Sequence, residues 1–238
     1  MQGSNEEVQA VVNAFWGKRD ELVKKHLESG VQGGAARSGS HMKAIQNYVR
    51  MMFVQAGLPE ESVHAGSPSL PGYFRRSKSW DVVVSYKGAL VAAIELKSQV
   101  GSVGNNANNR IEEALGNAVD VGAVQKNNGT FGEVPPWLAF IMVLEETPTT
   151  ERSLPPRSTV FPQDPAFSGV SYSGQYQLAL SRFVGEKLYD AGWFLTTKRE
   201  GDGQFSYREP LATATAGTLA GLIQARVDFV KQVVDGKK

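Results

Sequence analysis

The sequence has 238 residues, 41% hydrophobic and 21% charged, which is ordinary globular usage and excludes disorder driven by low hydrophobicity and high charge. Its 25 Lys and Arg against 24 Asp and Glu give a formal charge of +1, so bulk electrostatics favour no polyanionic partner and any nucleic-acid site has to be local. The absence of Cys excludes disulfides, zinc fingers and a thiol nucleophile together.

His26, His41 and His64 stand 15 and 23 residues apart, which offers little to a His-based zinc site or a His-Ser couple. A catalytic metal therefore has to be held by oxygen. The longest apolar run, Trp137 to Leu144, is eight residues, well short of the ~20 that span a bilayer. Met1 to Glu7 carries acids and no apolar core, so no secretory signal is expected and a cytoplasmic protein is.

In chain order, the apolar spacing of Val8, Val11, Val12, Phe15, Leu22 and Leu27 predicts a helix over Glu6 to Leu27, weakened at Gly17. The glycine-rich Ser29 to Ser40 reads as a loop. A second helix covers Met42 to Ala56 and is stopped by Gly57 and Pro59. Glu60 to Lys78 reads as irregular and gathers Arg75, Arg76 and Lys78 with no acid between them, a local positive patch. Trp80 to Tyr86, the Lys87-Gly88 turn and Ala89 to Lys97 predict a largely buried β-hairpin. Its second strand runs from Ala92-Ala93-Ile94 directly into a charge, Glu95.

A loop from Val100 to Asn109 leads to a helix ending near Lys126, and Trp137 to Leu144 is a strand. Glu146 to Tyr172 holds five prolines and no periodicity, a loop long enough to suggest a function or an insertion. A helix over Gln175 to Tyr189, extended segments at Trp193 to Lys198 and Gln204 to Tyr207, and a helix over Thr213 to Val234 complete the chain. The order predicts an α/β fold with mixed strand directions, in one domain.

Two familiar motifs fail. Gly34 to Ser40 lacks the Lys of a phosphate-binding loop, and Gly169 to Ser173 lacks the closing Gly of a nucleophile elbow, with no His downstream. What survives is Asp81 at the start of one hairpin strand and Glu95-Leu96-Lys97 at the end of the next. An antiparallel pair brings these positions together, and alternation points Glu95 and Lys97 one way and Leu96 the other. Two carboxylates and an ammonium suit phosphodiester hydrolysis, in which a divalent cation neutralises developing charge and an amine positions the attacking water. Two neighbouring carboxylates without a cation repel each other, so the set favours Mg²⁺ over zinc. The residues alone also fit a strand-start turn residue and a solvated ion pair.

Leu70-Pro71-Gly72-Tyr73-Phe74-Arg75, Trp80-Asp81, Ala92 to Gly101, Gly104-Asn105-Asn106 and Asn108-Asn109-Arg110 with Glu112-Glu113-Ala114 resemble the XhoI family of type II restriction endonucleases. The resemblance runs from the first helix to about Arg208 and leaves the C-terminal helix unmatched. It implies a PD-(D/E)XK core, a central mixed sheet flanked by helices, with residues 1–238 as one endonuclease domain: N-terminal helices over 5–56, a catalytic core of about 60–210 and a C-terminal helix of about 213–234. Asp81, Glu95 and Lys97 take the catalytic places, and Asp81, Glu95 and the Leu96 carbonyl the metal. The implied activity is Mg²⁺-dependent cleavage of double-stranded DNA at a CTCGAG-like palindrome, leaving 5′ overhangs, by a homodimer whose host carries a methyltransferase. A repair or structure-specific nuclease of the same superfamily and an inactive DNA-binding module are the alternatives. Val103 and Ala107 stand where the family pattern has aromatic residues, which bears on the target sequence.

DNA contacts are expected from Arg75, Arg76 and Lys78, from Ser98 and Gln99 beside the catalytic strand, and from Asn105, Asn106, Asn108, Asn109 and Arg110. Asn109 with Glu112 also fits a capping box, and Glu112 and Glu113 fit first-turn acids favoured by the helix dipole, so both acids stay outside the expected site. Glu60 and Glu61 are unplaced candidates for an additional acid.

Overall fold

The computed structural model describes residues 3–29, 39–101, 103–104 and 106–236. The chain runs α1 (Asn5–Ser29), α2 (Lys43–Gln55), β1 (Val63–Ala65), β2 (Ser69–Pro71), β3 (Ser77–Ser79), β4 (Val82–Tyr86), β5 (Ala89–Gln99), α3 (Ala107–Asn128), β6 (Leu138–Glu145), α4 (Pro148–Glu151), α5 (Tyr172–Gly185), β7 (Ala191–Arg199), β8 (Phe205–Arg208) and α6 (Ala216–Asp235). Most of the loop expected over Ser29 to Ser40 lies outside the described residues; its end, Gly39–Met42, is a 3₁₀ turn.

Six strands form one sheet in the order β1-β4-β5-β6-β7-β8. β1, β4 and β5 are antiparallel, β5, β6 and β7 parallel, and β8 antiparallel to β7. This is the mixed α/β sheet of a restriction-endonuclease-like core. Parallel neighbours need crossovers, and α3 and α5 supply them. These two crossovers cover one face of the sheet and α1, α2 and α6 cover the other, so β6 is apolar on both. Its Ala139, Ile141 and Val143 pack with α1, α2 and α6, whereas Leu138, Phe140, Met142 and Leu144 pack with α3 and α5.

The hairpin forms because Lys87 and Gly88 both take positive φ, 46° and 81°, the twist a two-residue turn needs between right-twisted strands. α1 runs unbroken through Gly17. The wholly buried Val8, Val12, Phe15 and Trp16 on its inner face outweigh the ~1 kcal/mol that glycine costs a helix. α5 begins earlier than expected because the Ser171 hydroxyl accepts from the Gly174 N–H at 3.1 Å, an N-cap that periodicity does not register.

Glu60 to Lys78 is not irregular: β1 adds to the sheet edge, and β2 pairs with β3 in a separate ribbon. Each of these strands is three residues long, too short for an alternating pattern to show. No helix among the described residues is long and apolar enough to cross a membrane.

Candidate active site

The site lies where β5 outruns β4. β4 begins at Val82, opposite Ile94, while β5 continues to Gln99. Just before β4, Asp81 is tied by its own backbone: the Gln46 amide on α2 donates to its carbonyl at 2.6 Å, and the preceding Trp80 N–H donates to Pro68 at 2.8 Å. The Asp81 carboxylate then accepts the Leu96 N–H at 2.7 Å, so a side chain takes the place of the missing ladder bond. In a strand, N–H and C=O of one residue point to the same side. The Leu96 carbonyl therefore also opens toward Asp81, while the Leu96 side chain packs with α1, α2 and α6.

Glu95 and Lys97 face the α3 side. Glu95 is 1% exposed and is gripped by two ammonium groups, Lys97 at 2.6 Å and Lys78 of β3 at 2.9 Å. Lys97 also meets Glu113 of α3 at 3.2 Å, and Glu113 meets Arg110 at 3.2 Å. α3 is set at this height partly by Tyr189, whose buried hydroxyl donates to the Ala114 carbonyl at 2.9 Å. The groups open onto a cleft of about 400 Å³ lined by Arg75, Lys78, Glu95, Lys97, Glu112 and Glu113 among others.

The charges are strongly coupled. Burial raises the Asp81 carboxyl above its ordinary value and Glu95 adds to that, against the Leu96 N–H, Lys97 and Lys78, which act the other way. For Lys97 burial favours the neutral amine, yet Glu95 and Glu113 outweigh it and hold the group above its ordinary value. Lys97 is thus an ammonium at neutral pH: it can donate to a water or a phosphate oxygen but has no lone pair to take a proton.

These residues fit a hard cation. Among the described residues no three of His, Asp and Glu form a metal cage, so the donors are two carboxylates and a backbone carbonyl, with room for the several waters that Mg²⁺ retains. The elevated Asp81 is a carboxylate short of positive charge, which a cation would supply. Glu95 would exchange a lysine contact for it.

Other expected residues fall differently. Lys78 is turned inward onto Glu95, and Arg75 onto Asp120 (2.7 Å) and Asn117 (2.9 Å), so two of the three patch cations are spent within the protein. Arg76 is exposed. Ser98 bonds His41 at 2.8 Å, and Gln99 is buried, off the surface where a DNA contact was expected. Asn105 lies outside the described residues. Asn106, Asn108 and Asn109 are exposed, and Arg110 pairs with Glu113.

The capping box of Asn109 and Glu112 does not form, because α3 starts at Ala107 with Asn106 as a cap that makes no side-chain bond. That same early start moves Glu113 past the first turn, where the dipole reading no longer applies. Glu113, which sequence reasoning left out of the site, is instead partnered by Lys97. Glu60 pairs with Arg50 on the surface at 3.4 Å, away from the cleft. Val103 and Ala107, where the family pattern has aromatics, are both buried.

Asp120, 3% exposed, is a further unexpected member. It accepts from the Tyr73 N–H (2.8 Å), the Phe74 N–H (2.9 Å) and Arg75 Nε. Burial alone would raise its carboxyl, but these donors outweigh it and hold the group below the ordinary value. Gly72 is required beside it, since a Cβ there would lie 2.5 Å from the Arg75 carbonyl and 2.8 Å from Asp120 Oδ2. Asp120→Ala removes the acceptor of two backbone N–H groups and loosens the part-exposed Arg75, and is expected to cost about 1–3 kcal/mol. A urea midpoint unchanged from wild type would contradict this account of the 72–75 loop.

The model of the restriction endonuclease XhoI family matches residues 22–208. The chain belongs to the XhoI family of restriction endonucleases. The XhoI-family relatives are all named type II restriction enzymes. BstVI of Geobacillus stearothermophilus is 34% identical over 184 residues, 74% of this chain and 82% of its own. XhoI of Xanthomonas vasicola is 36% identical over 73% of this chain and 72% of its own, and AbrI of Azospirillum brasilense 38% identical over 59% and 66%. No solved structure matches the chain. The XhoI-family match ends where β8 ends, so α6 lies outside it.

Proposed function

We propose that this member of the family hydrolyses double-stranded DNA within a CTCGAG-like palindrome, with Mg²⁺ as cofactor, as a homodimer that leaves 5′ overhangs. The observation that carries the reading is the meeting of Asp81, Glu95 and Lys97 at the free exit of β5. Asp81, Glu95 and the Leu96 carbonyl would hold the ion, which supplies charge neutralisation at the phosphate being cleaved. Lys97 donates to the attacking water and orients it. Glu113 holds Lys97 protonated and aimed, a role that touches no substrate.

Two-fold symmetric DNA is matched by a two-fold symmetric protein, which supports the homodimer. A cytoplasmic endonuclease of this kind requires that host DNA be protected, hence a methyltransferase in the same system. In this reading the N-terminal helices and α6 brace a single endonuclease domain.

The test is to incubate the protein with a sequenced plasmid and Mg²⁺ and to read the fragment ends. Discrete bands with one recurring terminal sequence are expected. Cutting confined to junctions or ends would replace the reading with a structure-specific nuclease, and sequence-specific binding without cleavage in Mg²⁺ or Mn²⁺ would leave a DNA-binding module.

A further inference from the structure

A second cleft, of about 470 Å³, opens between the first turns of α3 and the start of α5. Asn108 and Asn109 form one wall; Gln175 and Tyr172 of α5, with Arg157 from the proline-rich segment, form the other. Glu112 lines both this cleft and the catalytic one, so the two spaces adjoin along α3.

The segment that carries Arg157 is long but anchored. Its entrance is fixed by the Thr147–Thr150 capping box. Its neck is closed by the Leu154 N–H donating to Val170 at 3.2 Å. Farther along, Asp164 pairs with Arg182 of α5 at 2.5 Å, and Arg182 lies 5.3 Å from the Phe167 ring. A chain without regular structure that is held at several points presents its side chains from a defined position.

What those side chains do inside the protein is informative. Among the described residues, Gln9, Gln46, Gln125 and Gln224 each spend their amide on an internal partner. Among the described residues, the side chains of Asn108, Asn109, Gln175 and Arg157 make no hydrogen bond or ion pair, yet they converge on one cleft. Three amides and a guanidinium with unspent donors and acceptors are the groups that read base edges: the amide pairs bidentately with adenine N6 and N7, and the guanidinium with guanine O6 and N7.

We propose that Arg157 and Gln175 determine base specificity, reading the bases of a duplex across this cleft from Asn108 and Asn109 while its backbone lies at Lys97. This rests on the duplex-DNA reading above and assigns the proline-rich segment a function.

The experiment has two arms. Duplexes bound by the wild type, Arg157→Ala, Arg157→Lys and Gln175→Ala are selected from a random pool without metal, and cleavage of each single-base-pair variant of the preferred site is compared. At one base-pair position per variant, discrimination should fall by about 5- to 150-fold, the range for one bidentate contact. Arg157→Lys keeps the charge but not the fork, so it should lose the same discrimination while keeping its salt dependence. Unchanged ratios would overturn the inference. So would a uniform loss on every sequence with a salt slope shallower by about 1, since that marks a phosphate contact. A wild type that selects preferred bases but does not cut would sink the nuclease reading and leave this inference standing. One that selects none would sink the inference.

Discussion

Lys97→Ala should lower plasmid cleavage by at least about 10²- to 10³-fold, the usual loss when one preorganised donor is removed from a site of developing charge. The fold should survive. Glu95 keeps Lys78 at 2.9 Å and Glu113 keeps Arg110 at 3.2 Å, so neither carboxylate is stranded. The folding transition is accordingly expected to fall by less than the ~3–5 kcal/mol that breaking a buried pair outright costs. Cleavage rates under single-turnover conditions, beside a urea titration, separate the two effects. A variant that folds and still cuts at the wild-type rate removes Lys97 from the mechanism.

Asp81→Asn should abolish cutting on the same scale while leaving DNA binding intact, and here stability moves the other way. Burial, with Glu95 beside it, raises the Asp81 carboxyl in the folded state. A carboxyl whose folded value lies above its unfolded one favours folding when protonated. That contribution is complete below the unfolded value and is lost as pH rises through the folded value. At neutral pH the ionised Asp81 is therefore a cost to the metal-free protein, and Asn removes it while its amide oxygen can still accept the Leu96 N–H.

The metal-free variant is expected to be at least as stable as wild type at pH 7, with a flatter dependence between the ordinary Asp range and neutrality. Mg²⁺ should raise Tm for wild type only, by an increment equivalent to about 2.7 kcal/mol at one hundred times Kd. Equal Mg²⁺ shifts in both proteins would show that the ion binds without Asp81.

The two variants probe different layers of what the chain encodes. The hairpin, the helices and the mixed α/β order are legible because their signals are local. Lys87-Gly88 sets a turn, Met42, Ile45, Val49 and Phe53 repeat at helical steps, and the alternation at Glu95, Leu96 and Lys97 follows from the pleat of a strand. The meeting of Asp81 with Glu95 is only half legible: the two-residue turn alone would set Asp81 opposite Ile94, and the bulge between Val84 and Ser85 moves the pairing on by one residue.

The other contacts at the site were decided by tertiary structure. Lys78 and Glu95 are 17 residues apart and Arg75 and Asp120 are 45 apart, and no periodicity links them. That Arg75 and Lys78 turn inward while Arg76 stays exposed depends on how the β2–β3 ribbon lies against α3. Glu113 resembles a helix-start acid until the early start of α3 at Ala107 and the crossover to β6 set it over Lys97. By itself the sequence determined the hairpin strands, β6 to β8, the long helices and the acid-any-lysine core of the site, because backbone geometry repeats over neighbouring residues; the three-residue strands β1 to β3 and the short α4 were too brief to show. Only the folded sheet, with α3 packed across it, decided which distant charges share the buried space, because a charge taken out of water accepts whatever opposite partner the packing brings within reach.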